Sequence, residues 1–173
     1  MRTNEEILAA RAKLISGDWF VRNELTGDEL TVVEFLLSPE RYAVEQQFVD
    51  EVLLLKELTP IPGVPDYVAG ITNIRGRILS VLNLKILLGI TSKGITELNR
   101  IIILKNNRME FGILTDSVLG TRFLPSGQLV QKPVTLQGDA SRYVKGITAD
   151  GLVVLDCVQL LTDKAITINQ KQN

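Results

Sequence analysis

The feature that most constrains the fold of this chain is an internal repeat. Residues 67–72 read YVAGIT and residues 143–148 read YVKGIT, and each copy continues through a glycine-containing loop into an apolar run, 78–88 or 152–161. Internal similarity requires a structural unit that occurs twice. Strand spacing and turn signals favour barrels or sandwiches over a parallel α/β sheet. We therefore predict a mainly β protein built from two antiparallel units of about five strands each.

Apolar and β-branched runs bounded by turn residues supply the strands of these units. Residues 85–89 predict a short helical turn that ends at Gly89, and the proline-containing stretches 59–65 and 124–138 predict connections. In the upstream part of each unit, VDEV at 49–52 parallels TDSV at 115–118. The predicted strands are 31–37, 41–44, 49–55, 66–71, 77–84, 101–104, 108–115, 117–119 and 151–158.

The N-terminal residues predict a helix outside the repeat. Thr3 and Glu6 have the spacing of a capping box, and apolar residues follow at helical intervals up to Gly17. This amphipathic helix, over about residues 4–16, either packs on its own domain or serves as a partner-facing arm. We divide the chain into an N-terminal extension (1–30), one domain (31–163) and a C-terminal tail (164–173).

Composition excludes several classes of function. The formal net charge is −1, so no strong field recruits nucleic acid or an anionic membrane. The chain has no histidine, which removes the commonest general base and transition-metal ligand. A single cysteine rules out an intramolecular disulfide, and no apolar run approaches the roughly 20 residues of a membrane helix. We expect a cytosolic protein with no metal, cofactor, nucleic-acid partner or membrane insertion.

Individual residues give little support for catalysis. Cys157 lies in an apolar run and reads as a small buried hydrophobe. Asp50 and Glu51 are adjacent and project to opposite faces of a strand, so they do not form an acid/base pair. A small enzyme would need a titratable cluster that the sequence does not show, and no phosphate-binding, zinc or nucleophile motif is present.

The loop that differs between the two copies is NIRGR at 73–77. The second copy is about three residues shorter here and has only ADG at 149–151. A shared scaffold with a divergent loop is a place to look for function. Arg75 and Arg77 read either as a solvated hairpin tip or as a contact for an anion or a protein, since arginine is favoured at interface hot spots. Gly76 reads as the residue that supplies the turn's backbone geometry.

The stretch TPIPGVPDYVAGITNIRGRILSVLNL at 59–84 resembles the central signature of the CheW-like family, the coupling proteins of bacterial chemotaxis. Matching elements are Val49 and Val52 in a Val-x-x-Val approach, the proline-rich connection, the Tyr-Val-x-Gly motif and the Asn-Ile-Arg-Gly turn. YVKGITADGLVVLD at 143–156 matches the second half of the family pattern. The similarity covers about residues 30–163. One departure is Asn83, where the family often has the aspartate that Asp156 retains in the second half.

The resemblance implies two SH3-like five-stranded β-barrel subdomains that share a core, and no enzymatic activity. Such proteins link the regulatory domain of the histidine kinase CheA to the cytoplasmic hairpin tips of chemoreceptors, at membrane-associated arrays. The family's partner-binding turn corresponds to Asn73, Ile74, Arg75 and Gly76. Its inter-subdomain groove corresponds to Val49, Val52 and, in the second half, Val118.

Three alternatives to a chemotaxis adaptor remain at this point. A coupling protein for twitching motility or another chemosensory pathway has much the same sequence. A ligand-binding or nucleic-acid-binding barrel is disfavoured by the net charge and by the small aromatic content of 5%. For the adaptor we expect Tyr67 and Tyr143, the aromatic residues of the repeat, to be mostly buried, and Arg77 to be solvated.

Overall fold

The computed structural model describes residues 29–90, 99–130, 139–164 and 166. The predicted N-terminal helix at 4–16 lies outside the described residues. The strands are β1 (Glu29–Leu37), β2 (Glu40–Glu45), β3 (Val49–Leu54), β4 (Val68–Ile74), β5 (Arg77–Leu82), β6 (Arg100–Lys105), β7 (Glu110–Thr115), β8 (Ser117–Pro125), β9 (Leu129–Val130), β10 (Val144–Thr148) and β11 (Val153–Leu155). The short helices are α1 (Leu84–Leu87) and α2 (Cys157–Thr162).

The strands form two sheets that use the chain differently. One sheet has the order β3-β6-β7-β5-β4 and is built from a single continuous segment, which we call the contiguous barrel. The other has the order β8-β1-β2-β11-β10-β9 and combines strands from before and after that segment, and we call it the composite barrel. The contiguous barrel is therefore inserted between β2 and β8 of the composite one.

The two barrels have the same topology. Reading each order from its first strand, β3 corresponds to β8, β6 to β1, β7 to β2, β5 to β11 and β4 to β10. The fourth strand pairs with the third in parallel in both sheets, and the other pairings are antiparallel. Strand registers then define equivalent residues: Gly70 and Gly146, Val81 and Val154, Gly112 and Ala43, Leu104 and Phe35.

The predicted pair of β units is confirmed, with two additions. Each unit contains one parallel pairing, and the composite barrel has a sixth strand, the two-residue β9. In the contiguous barrel a single bridge between Thr59 and Ile71 takes the place of β9. Gly70 permits this bridge, because a Cβ at that position would lie 2.4 Å from the carbonyl oxygen of Thr59. The proline-rich connection is thus held against β4.

Three apolar clusters explain why the two barrels form one domain. The largest joins buried side chains of both sheets, such as Phe35 and Tyr42 of the composite barrel and Ile102 and Phe111 of the contiguous one. A smaller cluster fills the contiguous barrel, and another fills the composite barrel. Burial of such aliphatic and aromatic side chains contributes roughly 1.5–3 kcal/mol each. The predicted shared core is confirmed.

The predicted strands occur where the sequence placed them, apart from two. Residues 117–119 begin a much longer strand, β8, because glycine and polar residues at 120–122 pair with β1 along an exposed edge. The predicted strand at 151–158 is wrong in its second half, since Asp156 caps α2 by accepting the N–H of Gln159 at 3.0 Å. Asn83 caps α1 in the same way, so the two helices are equivalent. Of the repeat tyrosines, Tyr143 is buried and Tyr67 is half-buried.

Candidate functional site

The divergent loop forms the tip of the β4–β5 hairpin. Ile74 pairs with Arg77, which leaves Arg75 and Gly76 as a two-residue connection. Both have positive φ, +52° for Arg75 and +84° for Gly76, as type I′ hairpin turns require. The side chain of Asn73 accepts the Gly76 N–H at 2.8 Å and fixes the turn. The predicted hairpin tip and the structural role of Gly76 are confirmed.

Arg75 projects from this turn but is held on one side. One guanidinium nitrogen, Nη1, donates to both carboxylate oxygens of Glu51 on β3, at 3.0 and 3.2 Å. The side chain is still 70% exposed, and no hydrogen bond of the described residues uses Nη2. Arg75 is therefore oriented by the scaffold and still offers donors to a partner.

Arg77 is 42% exposed, as expected from the sequence, but its guanidinium is also paired with carboxylates. Its Nη1 donates to Glu110 on β7 at 2.6 Å, and its Nη2 lies 3.9 Å from carboxylate oxygens of Asp50 and Glu51. The reason is that the hairpin tip faces two strands that each carry acidic residues at this end of the barrel. Glu51 and Glu110 are the site residues that the sequence analysis missed. An ion pair between distant strands leaves no periodic pattern in the sequence.

The predicted valines of β3 lie on the edge strand that also carries Glu51. Val49 is half-buried and packs against the shared core, whereas Val52 is 39% exposed. Leu54, two residues on, is 42% exposed. Because Val52 pairs with the buried Ile102, its side chain is on the face of the sheet that continues the shared core. The edge of β3 therefore presents an apolar strip directly beside the residues that hold the arginine hairpin.

Val118 lies on β8, the edge strand of the other barrel, and is half-buried against the shared core. It pairs with Phe35, as Val49 pairs with Leu104, and an unpaired bulge residue follows in each strand. The equivalent of Val49 is therefore Val118, and the match of Val118 to Val52 made from the sequence is wrong by three residues. The pattern of apolar residues alone does not show where a β-bulge shifts the strand register.

The predicted site residues thus form two groups. Asn73, Ile74, Arg75 and Gly76 are together in the hairpin, although Ile74 is half-buried against the interior of the contiguous barrel. Val49 and Val52 join them through the ion pair of Glu51 with Arg75. Val118 belongs to the equivalent edge of the composite barrel, and no contact of the described residues links it to the hairpin.

The composite barrel has a different structure at the equivalent end. Its β10–β11 hairpin is three residues shorter than the β4–β5 hairpin, and its turn carries Asp150, which accepts hydrogen bonds from Arg122 of β8 at 2.9 Å and Arg41 of β2 at 3.3 Å. The hydrogen bond from Arg122, followed by that from the Thr148 hydroxyl, lowers the pKa of Asp150 well below its usual range. Arg41 also donates to Glu34 at 3.1 Å. This turn presents no projecting cation.

Carboxylates that could ligate a metal and a single thiol occur in the part of the chain that the structure describes. No group of three carboxylate, cysteine or histidine side chains there is placed to hold a metal ion. Burial raises the pKa of the Cys157 thiol to about 12, which leaves it protonated and unreactive near neutral pH. Within the same residues no helix is long and apolar enough to cross a membrane.

Comparisons with known proteins show the family of the chain. Residues 31–165 match the sequence model of the CheW-like domain. The chain is similar to the chemotaxis protein CheW of Treponema pallidum, with 26% identity over 80% of this chain and 86% of that protein. It is 33% identical to the protein FrzA of Myxococcus xanthus, over 62% of this chain and 66% of that one. The crystal structure of the scaffolding protein TtCheW from Thermoanaerobacter tengcongensis has a TM-score of 0.68 and 27% identity, over 79% of this chain and 94% of that one.

Proposed function

We propose that this chain, which belongs to the CheW-like family of chemotaxis coupling proteins, is a non-catalytic adaptor. It joins the regulatory domain of a CheA-type histidine kinase to the cytoplasmic hairpin tips of chemoreceptors. It works in the cytoplasm, at receptor arrays associated with the membrane. The resemblance implies these partners, and the placement of the candidate residues supports them.

The observation that carries this proposal is the position of Arg75. A mainly exposed arginine stands on a rigid two-residue turn, held by Glu51 and with donors to spare. An arginine fixed in this way loses little conformational freedom on binding and meets a carboxylate in bidentate geometry. Arg75 is therefore suited to anchor a protein partner, which we take to be the kinase regulatory domain.

The edge of β3 is suited to the second partner. Val52 and Leu54 are exposed on the face that continues the shared core, so an amphipathic helix laid there would cover apolar surface that water now covers. A chemoreceptor tip is a helical hairpin, which fits such a strip. Val49 packs on the shared core at the start of the same strand. The family resemblance also assigns Val118, on the edge strand of the other barrel, to this surface.

The experiment measures the two partners separately. Titration calorimetry with the purified kinase regulatory domain compares the native protein with Arg75→Ala, and with Arg142→Ala as a matched control on the other barrel. We expect Arg75→Ala to weaken binding at least about tenfold, as for an interface hot spot. Its stability should stay within about 0.5 kcal/mol of the native value, as for other surface changes.

The receptor surface is tested with Val52→Glu and a soluble receptor hairpin. Val52 is the suitable position because Val49 and Val118 pack on the core, where a charge would unfold the protein. We expect Val52→Glu to lose receptor binding and to retain kinase binding. A native protein that binds neither a kinase regulatory domain nor a receptor tip of its own organism would refute the proposal.

A second candidate is the same coupling role in a twitching-motility or other chemosensory-like pathway. The similarity to the protein FrzA favours it. The two candidates use the same surfaces and differ in the receptor and kinase that they engage. Deleting the gene and scoring swimming, gliding and pilus-driven motility in the same strain would separate them.

A further inference from the structure

A groove lies on the contiguous barrel beside the arginine hairpin. Its volume is about 670 Å³, and one wall is formed by β4 and β5 while the other is the β6–β7 turn at residues 105–110. The groove exists because β5 and β7 pair only at Val81 and Leu82, so the Arg77–Ser80 part of β5 diverges from β7. In the composite barrel the shorter hairpin lacks the corresponding part of the strand.

The floor of the groove is apolar and its outer wall is basic. Ile78 is 60% exposed, which makes it the most exposed large apolar side chain among the described residues, and Met109 and Leu79 are buried beneath. Lys105 and Arg108 line the outer wall and are exposed. No ion pair of the described residues includes either cation. The groove therefore combines an uncovered aliphatic side chain with uncompensated positive charge.

The wall is preformed. Asn106 at the start of the β6–β7 turn accepts the backbone N–H groups of Arg108 and Met109 at 2.8 and 2.7 Å, which fixes the turn. Glu110, the carboxylate of the lining, is engaged by Arg77 at 2.6 Å. The side chain of Ile78 is next to Arg77 and pairs across the hairpin with Asn73. The groove is thus continuous with the hairpin that carries Arg75.

We propose that this groove receives an acidic, aliphatic segment of the kinase regulatory domain, an inference that rests on the proposed function. An aliphatic side chain of the segment packs on Ile78, and carboxylates on either side of it meet Lys105 and Arg108. The segment lies extended along Arg77–Ser80, where β5 has a strand neighbour among the described residues only on its β4 side. Charge complementarity and continuity with Arg75 favour this occupant over the apolar helix suited to β3.

The test uses the full chain and the purified regulatory domain of the CheA-type kinase from the same organism. Ile78→Thr keeps a β-branched strand residue and removes most of the apolar contact, and Lys105→Gln with Arg108→Gln removes the charges. Matched controls are Val158→Thr, at a residue that is 55% exposed on α2, and Lys56→Gln with Lys164→Gln, at exposed lysines that do not line the groove.

We expect each groove variant to weaken kinase binding about tenfold, with the loss in the charge variant shrinking as salt is raised, while the controls bind as the native protein does. Native affinity in both groove variants, alongside lost binding in Arg75→Ala, would overturn the inference and leave the proposed function standing. Loss of receptor-tip binding in place of kinase binding would show that the occupant is wrong. A native protein that binds no kinase would overturn both.

Thermal unfolding of every variant accompanies these titrations. If Ile78→Thr fails to fold, the charge variant decides the outcome alone, because Lys105 and Arg108 are exposed and make no described ion pair.

Discussion

The two barrels stabilise the same end of the fold with opposite charges. In the contiguous barrel the hairpin supplies the cations Arg75 and Arg77, and the acids come from β3 and β7. In the composite barrel the turn supplies Asp150, and the cations Arg41 and Arg122 come from β2 and β8. The corresponding strands carry the partners in both cases, so the scaffold holds its turn by an ion pair of either sign.

The two barrels differ in whether their turn projects a charged side chain beyond the sheet. The register places Glu110 where the composite barrel has Arg41, so one exchange of charge at an equivalent position accompanies the change in the turn. The longer hairpin then lifts its cations beyond the sheet and opens the groove beside Ile78. The shorter hairpin of the composite barrel keeps Asp150 between two arginines. The same topology occurs twice, and of the two turns only that of the contiguous barrel projects a cation.

The largest expected effect concerns the interiors of the two barrels. At equivalent positions the contiguous barrel has Gly112 with Ile101, and the composite barrel has Ala43 with Val32. The composite barrel therefore has one carbon more at the first position and one carbon fewer at the second. A Cβ on Gly112 would lie 2.5 Å from a methyl carbon of Ile101. We expect Gly112→Ala to lower the free energy of unfolding by about 1–3 kcal/mol, the usual cost of overpacking. Urea denaturation measures the change.

The matched double variant sharpens this prediction. Gly112→Ala with Ile101→Val copies the composite barrel. Valine keeps both γ carbons and lacks only Cδ1, so its shorter side chain rotates more easily away from the new Cβ, and we expect the double variant to recover part of the lost stability. If the double variant is less stable than Gly112→Ala alone, the two interiors are not equivalent and the alignment of the barrels fails at this layer.

Sequence reasoning reached the fold because the repeat, the turns and the apolar alternation are local signals. The arginine hairpin was also predictable, since Asn73 and Gly76 announce a turn with positive φ. The insertion of one barrel into the other was not, because the pairing of β2 with β11 joins residues that are far apart in the chain. The same holds for Glu51 and Glu110, whose roles depend on a meeting of three strands, and for the bulges that shift Val118 against Val52.

The next effect in size concerns the turn of the composite barrel and depends on pH. The pKa of Asp150 is lower in the folded protein than in the unfolded chain, so its ion pairs stabilise the fold above the unfolded value of about 4. This stabilisation is lost as the pH falls through the lower folded-state pKa. The side chain is 44% exposed, so we expect Asp150→Asn to cost less than about 1 kcal/mol at pH 7. Chemical denaturation at pH 7 and pH 3 should show a difference that shrinks in acid; an equal difference at both pH values would contradict it.

A smaller effect on stability is expected for Glu51→Gln in the contiguous barrel, whose carboxylate orients Arg75, the residue that we propose binds the kinase. Arg75 is largely exposed, so the loss of stability should stay below about 0.5 kcal/mol. Kinase binding should weaken by roughly threefold to tenfold, less than in Arg75→Ala, because the guanidinium is no longer oriented. The two changes should be non-additive in a double-mutant cycle. Additive losses would mean that Glu51 does not act through Arg75, and Asp150→Asn, with unchanged binding, is the control.

The smallest effect is expected where the two halves already agree. Asn83 caps α1 by accepting the N–H of Lys85 at 3.1 Å, as Asp156 caps α2. Asparagine and aspartate are comparable caps, and a negative charge adds only a few tenths of a kcal/mol at a helix start. We expect Asn83→Asp to change the free energy of unfolding by no more than about 0.3 kcal/mol, measured by urea denaturation. Asn83→Ala is the positive control, since it removes the cap and should cost about 1 kcal/mol. A large gain from Asn83→Asp would mean that the carboxylate reaches Lys85, whose amine now binds Asp116 at 2.8 Å, and that the two caps differ in their surroundings.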